Sequence, residues 1–155
     1  MEEQAEKILR LFEENNVVYQ LYEHQPVYTS KEAAQVRGVE LKTGCKSMIL
    51  KKKCGGFVLA NIAADRKIDF KALEFHLGTK LSFASREEVL KVTNCESGSV
   101  PPFGALFGLP TFLDPSVLEN ESVNFNIGSL TKSVKISRED LLKLMNPTIV
   151  KFSKN

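Results

Sequence analysis

The residue best placed for chemistry in this chain is Lys46. It stands where the loop Lys42-Thr43-Gly44-Cys45 runs into the apolar stretch Ser47 to Leu50. An ammonium at the mouth of a buried strand costs free energy unless it is partnered or faces a cleft. Two readings follow. Lys46 is a cation aimed at a phosphate or a developing oxyanion, or it is a strand-end lysine that reaches out to solvent. The segment Gly98-Ser99-Val100-Pro101-Pro102-Phe103-Gly104 is the second candidate. Its proline pair is stiff, Gly98 and Gly104 admit a ligand close to the backbone, and Phe103 offers a stacking face. The same features suit a rigid connector whose Phe103 plugs the core. Gly128-Ser129 can present an amide and a hydroxyl to a ligand, or make a plain turn. His24 can move a proton near neutral pH, or bond backbone in a loop. Cys45 lacks the base and orienting group that a thiol nucleophile needs, and it reads as inert packing.

These residues must be held by something. Ala5, Ile8, Leu9 and Phe12 recur at helical spacing and predict a first helix ending at Asn15-Asn16. Val17 to Tyr22 reads as a strand, broken by Glu23-His24-Gln25-Pro26. Thr29 with Glu32 predicts a capped helix from Ser30 to Arg37, stopped by Gly38. The apolar runs Ser47 to Leu50 and Phe57 to Ala64 flank Gly55-Gly56 and predict a hairpin covered on both faces. Asp69 caps a short helix ending near Gly78, and Ser85 with Glu88 opens another to about Val92. Leu81 to Ala84, Thr111 to Leu113, Val123 to Ile127 and Ser133 to Ile136 read as strands. Ser137 caps a last helix through Met145, and Thr148 to Phe152 reads as an edge strand. The order predicts one α/β (α+β) domain over 1–155 with a mixed sheet.

Composition narrows the function. The chain has 155 residues, 43% hydrophobic and 26% charged, which predicts a folded domain. Lys plus Arg is 21 and Asp plus Glu is 19, a net charge of +2, so this is no strongly basic nucleic-acid binder. Lys42, Lys46, Lys51, Lys52 and Lys53 nonetheless cluster in sequence. Three cysteines without a C-x-x-C pair argue against a disulfide framework or a zinc site, and no metal or other cofactor is expected. No apolar run approaches the roughly 20 residues that span a bilayer, and the acidic start Met1-Glu2-Glu3-Gln4 is unlike a secretory leader. A cytoplasmic protein without a membrane partner is expected. P-loop, Rossmann, G-x-S-x-G and zinc-protease motifs are absent. Taken alone, the residues lead to a mixed α/β domain with an anionic-ligand cleft around Lys46.

Four segments carry the reading further: Glu23-His24-Gln25-Pro26-Val27-Tyr28-Thr29, Cys45-Lys46-Ser47-Met48-Ile49-Leu50, Gly98 through Gly104, and Asn124-Phe125-Asn126-Ile127-Gly128-Ser129. In order and spacing they resemble the YbaK-like family, the prolyl-tRNA-synthetase-associated editing domains. The resemblance implies a mixed, partly barrel-like sheet surrounded by helices. It implies hydrolysis, in trans, of the ester joining a wrong small amino acid to the 3′ acceptor end of tRNA. Lys46 matches the essential lysine of the family, which holds the terminal phosphate or polarises the ester. Gly98, Val100, Pro101, Pro102, Phe103 and Gly104 match the wall against the aminoacyl group, and Gly128 and Ser129 match the segment facing it. His24 and Ser47 lie within the matching segments and join them as candidate substrate contacts. Alanine-specific relatives carry Asn after the lysine and a His after the late glycine. Here Ser47 and Leu130 stand there, so the expectation is the wider small-residue class of Ala, Cys, Ser and Thr rather than alanine alone. The partner implied is aminoacyl-tRNA, with a synthetase as a second candidate. The competing reading is a non-catalytic tRNA-binding or synthetase-docking module.

Overall fold

A computed structural model describes residues 2–155 of the chain. Helix α1 (Glu2–Glu14) buries Ala5, Ile8 and Phe12 along one face, as their spacing requires. Asn16 ends it at φ +56°. Strand β1 (Gln20–Glu23) begins later than the stretch expected from Val17. Val17 instead turns back into the core, its amide donating to the Phe12 carbonyl at 2.9 Å, while Val18 points to solvent. Helix α2 (Ser30–Arg37) starts at Thr29, whose side chain accepts from the Glu32 amide, and stops at Gly38 with φ +69°. The Glu32 carboxylate reaches back to the Tyr28 amide and the Thr29 hydroxyl, so the box closes one residue earlier than usual.

Strands β2 (Cys45–Lys52) and β3 (Phe57–Ala63) form the expected antiparallel hairpin, with Ser47 opposite Asn61. Gly55 and Gly56 turn it at φ +116° and +85°. The short β4 (Lys67–Ile68) leads into α3 (Phe70–Leu77), capped by Asp69. Then follow β5 (Leu81–Phe83) and α4 (Arg86–Thr93), which opens with a complete capping box between Ser85 and Glu88. After the irregular loop come β6 (Thr111–Leu113), β7 (Ser122–Asn126), β8 (Lys132–Ser137) and α5 (Arg138–Met145), capped by Ser137. The expected strand from Thr148 to Phe152 is interrupted. It supplies β9 (Thr148–Ile149), after which Phe152 turns inward and donates its amide to Asp114 Oδ1 at 2.7 Å, ahead of β10 (Ser153–Lys154).

Five strands form one sheet in the order β5-β2-β3-β6-β9, with β3–β6 and β6–β9 parallel and the other pairs antiparallel. A three-stranded antiparallel sheet has the order β1-β8-β7, and β10 pairs with β4. The fold is therefore mixed α/β. The two larger sheets meet at a single bridge between Gly44 and Asn124, and no closed barrel forms among the described residues. The central hairpin is covered on both faces. Ile49 and Leu59 pack against Val89 and Val100, while Val58, Ala60 and Ile62 pack against Leu73, Phe112 and Phe152. A further core joins α1, β7, β8 and α5.

Candidate active site

Where the two sheets meet, a cavity of about 340 Å³ opens between α2, the start of β2, the loop after α4, and the polar face of β7. That lies at the small end of the ~300–1,000 Å³ typical of ligand sites. Lys46, Ser47, Gly98 and Val100 line it, as do Arg37, Asn124 and Asn126. No Asp or Glu is among the described residues that line it.

Lys46 sits half-buried near the start of β2, paired with Ile62 across the ladder, and its side chain has no hydrogen bond or ion pair among the described residues. Desolvation holds its pKa below the usual lysine value, partly offset by Asp65 and reinforced by Lys67. The run of lysines that looked like one patch in sequence is divided. Lys46 lines the cavity, whereas Lys51, at the far end of β2, pairs with Glu88 at 2.7 Å, and Lys42 lies 3.8 Å from Glu40.

Ser47 follows Lys46 and donates its hydroxyl to Asn61 Oδ1 at 2.6 Å. Asn61 is fully buried in β3, and its Nδ2 donates to the carbonyls of Phe112 at 3.2 Å and Pro102 at 3.5 Å. One asparagine thus orients Ser47 and ties the proline loop to the sheet. With its proton committed, the Ser47 oxygen keeps lone pairs for a donor in the cavity. Cys45 is buried beside them, and burial pushes its thiol up to about 12, so it is protonated and inert at neutral pH.

The loop divides into a lining part and a supporting part. Gly98 at φ +92° and Val100 line the cavity, together with Ser97. Pro101, Pro102, Phe103 and Gly104 are buried behind them and do not line it. Phe103 packs edge-on to Phe12 and Phe125, with ring centroids 6.3 and 5.6 Å away. At Gly104 a Cβ would fall within 2.7 Å of the Leu109 carbonyl oxygen, so close packing requires glycine there. Gly128 and Ser129 also lie outside the lining. The Gly128 amide donates to the Ser99 carbonyl at 2.9 Å and braces the loop from behind, while Ser129 Oγ accepts from the Thr131 amide at 3.1 Å.

His24 is placed behind the cavity wall. Its Nδ1 lies 2.8 Å from the Gln25 carbonyl, and its Nε2 lies 2.9 Å from Ser133 Oγ. The carbonyl requires a proton on Nδ1; a neutral ring then accepts at Nε2 from the serine hydroxyl. Ser133 in turn accepts from Arg37 Nε at 2.8 Å. Arg37, absent from the sequence expectations, is buried and also donates from its two terminal nitrogens to Asn124 Oδ1 at 2.8 Å and Asn126 Oδ1 at 3.0 Å. Burial lowers its pKa to about 10, which leaves it charged at neutral pH. A signal for this hub was present in the sequence: Asn124 and Asn126 alternate with Val123, Phe125 and Ile127, marking a polar face on a strand whose other face is core.

The family model for the aminoacyl-tRNA editing domain matches residues 24–144. Over 152 residues the chain is 32% identical to the multifunctional Ser/Thr-tRNA deacylase ProXp-y of Escherichia coli K12, covering 95% of this chain and 91% of that protein. It is 30% identical over 144 residues to the prolyl-tRNA editing protein ProX of Acetoanaerobium sticklandii, covering 89% and 88%. A solved structure described as a candidate trans-editing enzyme for prolyl tRNA synthetase superposes with a TM-score of 0.79 at 26% identity, covering 88% of this chain and 87% of that one.

Proposed function

The chain belongs to the aminoacyl-tRNA editing domain family, and on that premise we propose that it is a trans-acting deacylase in which Lys46 activates the ester of mischarged tRNA, with seryl and threonyl esters preferred. The observation that carries this reading is an acid-free cavity whose half-buried lysine has no ion-pair partner among the described residues. In the reaction, water adds to the ester carbonyl and charge gathers on the carbonyl oxygen. The Lys46 ammonium stabilises that charge. The bond to the ribose oxygen then breaks, that oxygen takes up the proton given by the attacking water, and a free amino acid and an uncharged 3′ end are released. A hydroxyl on the ribose itself can orient the water. Family members act on aminoacyl-tRNA, and we assign the contact here to the 3′ acceptor end. Residues 1–155 act as one editing domain in the cytosol; docking on a synthetase is a further expectation. No helix among the described residues is long and apolar enough to cross a membrane.

The preference comes from Ser47 and the wall. A seryl or threonyl hydroxyl can donate to the Ser47 oxygen, whose own proton is held by Asn61. The wall of Ser97, Gly98 and Val100 is fixed from behind, so a large side chain must displace backbone rather than rotate a neighbour. A relative named as a Ser/Thr-tRNA deacylase supports this choice, as well as catalysis over a silent docking module. The test is the initial deacylation rate of Ser, Thr, Ala, Cys, Pro and Phe esters on one tRNA. Ser and Thr should lead, and Phe and cognate Pro should be spared. Equal rates for Ser and Phe would rule out the size limit, and cleavage of Ala alone would refute the role of Ser47.

A further inference from the structure

Arg37 poses a problem that the deacylase reading does not by itself solve. The residue is only 8% exposed, yet none of its three acceptors carries a charge: Ser133, Asn124 and Asn126 are all neutral. A buried guanidinium bound only by neutral groups is hydrogen-bonded but not neutralised. Its fork has five N–H groups, and these bonds use three, one from each nitrogen. One N–H on each terminal nitrogen is left, and the residue lines the cavity. Lys46 lines the same cavity, and no carboxylate does so among the described residues. Two cations without an acid form a site for an anion. The ammonium of an aminoacyl group gains nothing from such a pair. The nearest anion in the substrate is the phosphate on the 5′ side of the terminal ribose.

We propose that Arg37 anchors that terminal phosphate and so leaves Lys46 to act on the ester. The proposal rests on the deacylase reading for the identity of the anion. The two cations suit different tasks. The guanidinium is a planar fork fixed by β7 and β8, as a stationary phosphate clamp needs to be. The Lys46 ammonium is a compact charge on a flexible stem, without a hydrogen bond among the described residues, and can follow charge as it develops. Arg37 also reaches the cavity wall, because Asn126 accepts from it and donates its Nδ2 to the Gly98 carbonyl at 2.8 Å. The clamp and the wall against the aminoacyl group therefore share one asparagine.

The test is calorimetric titration of the full chain with adenosine 5′-monophosphate and with adenosine, at low salt and neutral pH. The wild-type protein should prefer the monophosphate by about tenfold or more, the usual worth of a charge-assisted bond. Arg37→Met should lose the preference while binding adenosine as before. Arg37→Lys should keep part of it, and Lys46→Ala should keep most of it while losing turnover. In kinetics on a seryl ester, Arg37→Lys should raise KM more than it lowers kcat. Absence of a preference in the wild type would overturn the proposal, as would its loss in Lys46→Ala with retention in Arg37→Met. Equal weakening of both ligands in Arg37→Met would make Arg37 a structural brace only. If Arg37→Met does not fold, the wild type and Arg37→Lys decide. The titrations need no turnover, so failures separate: a protein that cleaves no ester but prefers the monophosphate loses the deacylase reading and keeps the anion site. One that cleaves esters without the preference loses only the anchor.

Discussion

Truncation of Lys46 should separate activity from stability. The side chain sits half-buried in β2 with no hydrogen bond or ion pair among the described residues, and desolvation disfavours its charged form. Lys46→Ala therefore breaks no network and relieves a charge that the fold holds at some cost. The melting temperature should stay within about 3 °C of wild type, the range for a change under ~1 kcal/mol in a domain of this size. Catalysis should suffer far more, because one preorganised group at a developing oxyanion is worth about 10²–10³ in kcat. Lys46→Arg should rescue poorly, since a planar fork does not replace a compact ammonium in a cavity of about 340 Å³. The folded-state pKa lies below 10.5. The active ammonium should therefore be lost, and the rate should fall, as pH rises through that lowered value and before 10.5 is reached. The linkage has the same origin. The folded state holds the proton less tightly than the unfolded chain, so this residue's destabilising contribution is fully present below the lowered pKa. It fades as pH rises toward 10.5. The assay is single-turnover deacylation of a seryl ester, corrected for spontaneous hydrolysis, beside a thermal melt. Turnover by Lys46→Ala within a few-fold of wild type would refute the role given to the lysine.

Two further predictions concern neighbours of the site. Cys45→Ser should keep most activity, because a thiol pushed to about 12 is ionised only about once in 10⁵ at neutral pH; complete loss in a folded variant would bring back a thiol nucleophile. Gly128→Ala should lower stability by about 2–4 kcal/mol in urea denaturation, through positive-φ strain and overpacking. The backbone there is at φ +89°, and a Cβ would meet Gln4 Cβ at 2.5 Å; a neutral result would show that α1 yields easily.

Much of the fold was legible wherever one residue decides a local hydrogen bond. Thr29, Asp69, Ser85 and Ser137 cap the helices assigned to them, because each side chain satisfies an amide three residues on. Gly55-Gly56 likewise fixed the hairpin. Strands defined by distant partners were harder. The two-residue β4, β9 and β10 are too short to show alternation, and they exist only because β6 or each other supplies the ladder. Val17 resembles a strand residue and becomes core instead, because the backbone turns at Asn16 before β1 begins.

The site was legible in proportion to how odd each residue looked in its local setting. Lys46 stood out because a charge entering an apolar strand demands a reason. Arg37 did not, because a cation in the last turn of a helix is ordinary. Only the topology, which brings Asn124, Asn126 and Ser133 from 87 to 96 residues away, makes it a buried hub. The proline loop shows the complementary case, in which the chemistry-bearing motif mostly supports. Phe103 is held between Phe12 and Phe125, the Pro102 carbonyl accepts from Asn61, the Ser99 carbonyl accepts from Gly128, and the Gly98 carbonyl accepts from Asn126. The wall is therefore stiff because the loop is held at four points, three of them backbone carbonyls and one the Phe103 ring, and the proline pair only lowers the entropy lost in holding it. A wall held at four points can be softened at one without collapse, so its selectivity depends in part on residues outside the cavity lining, with Asn61 the nearest of them.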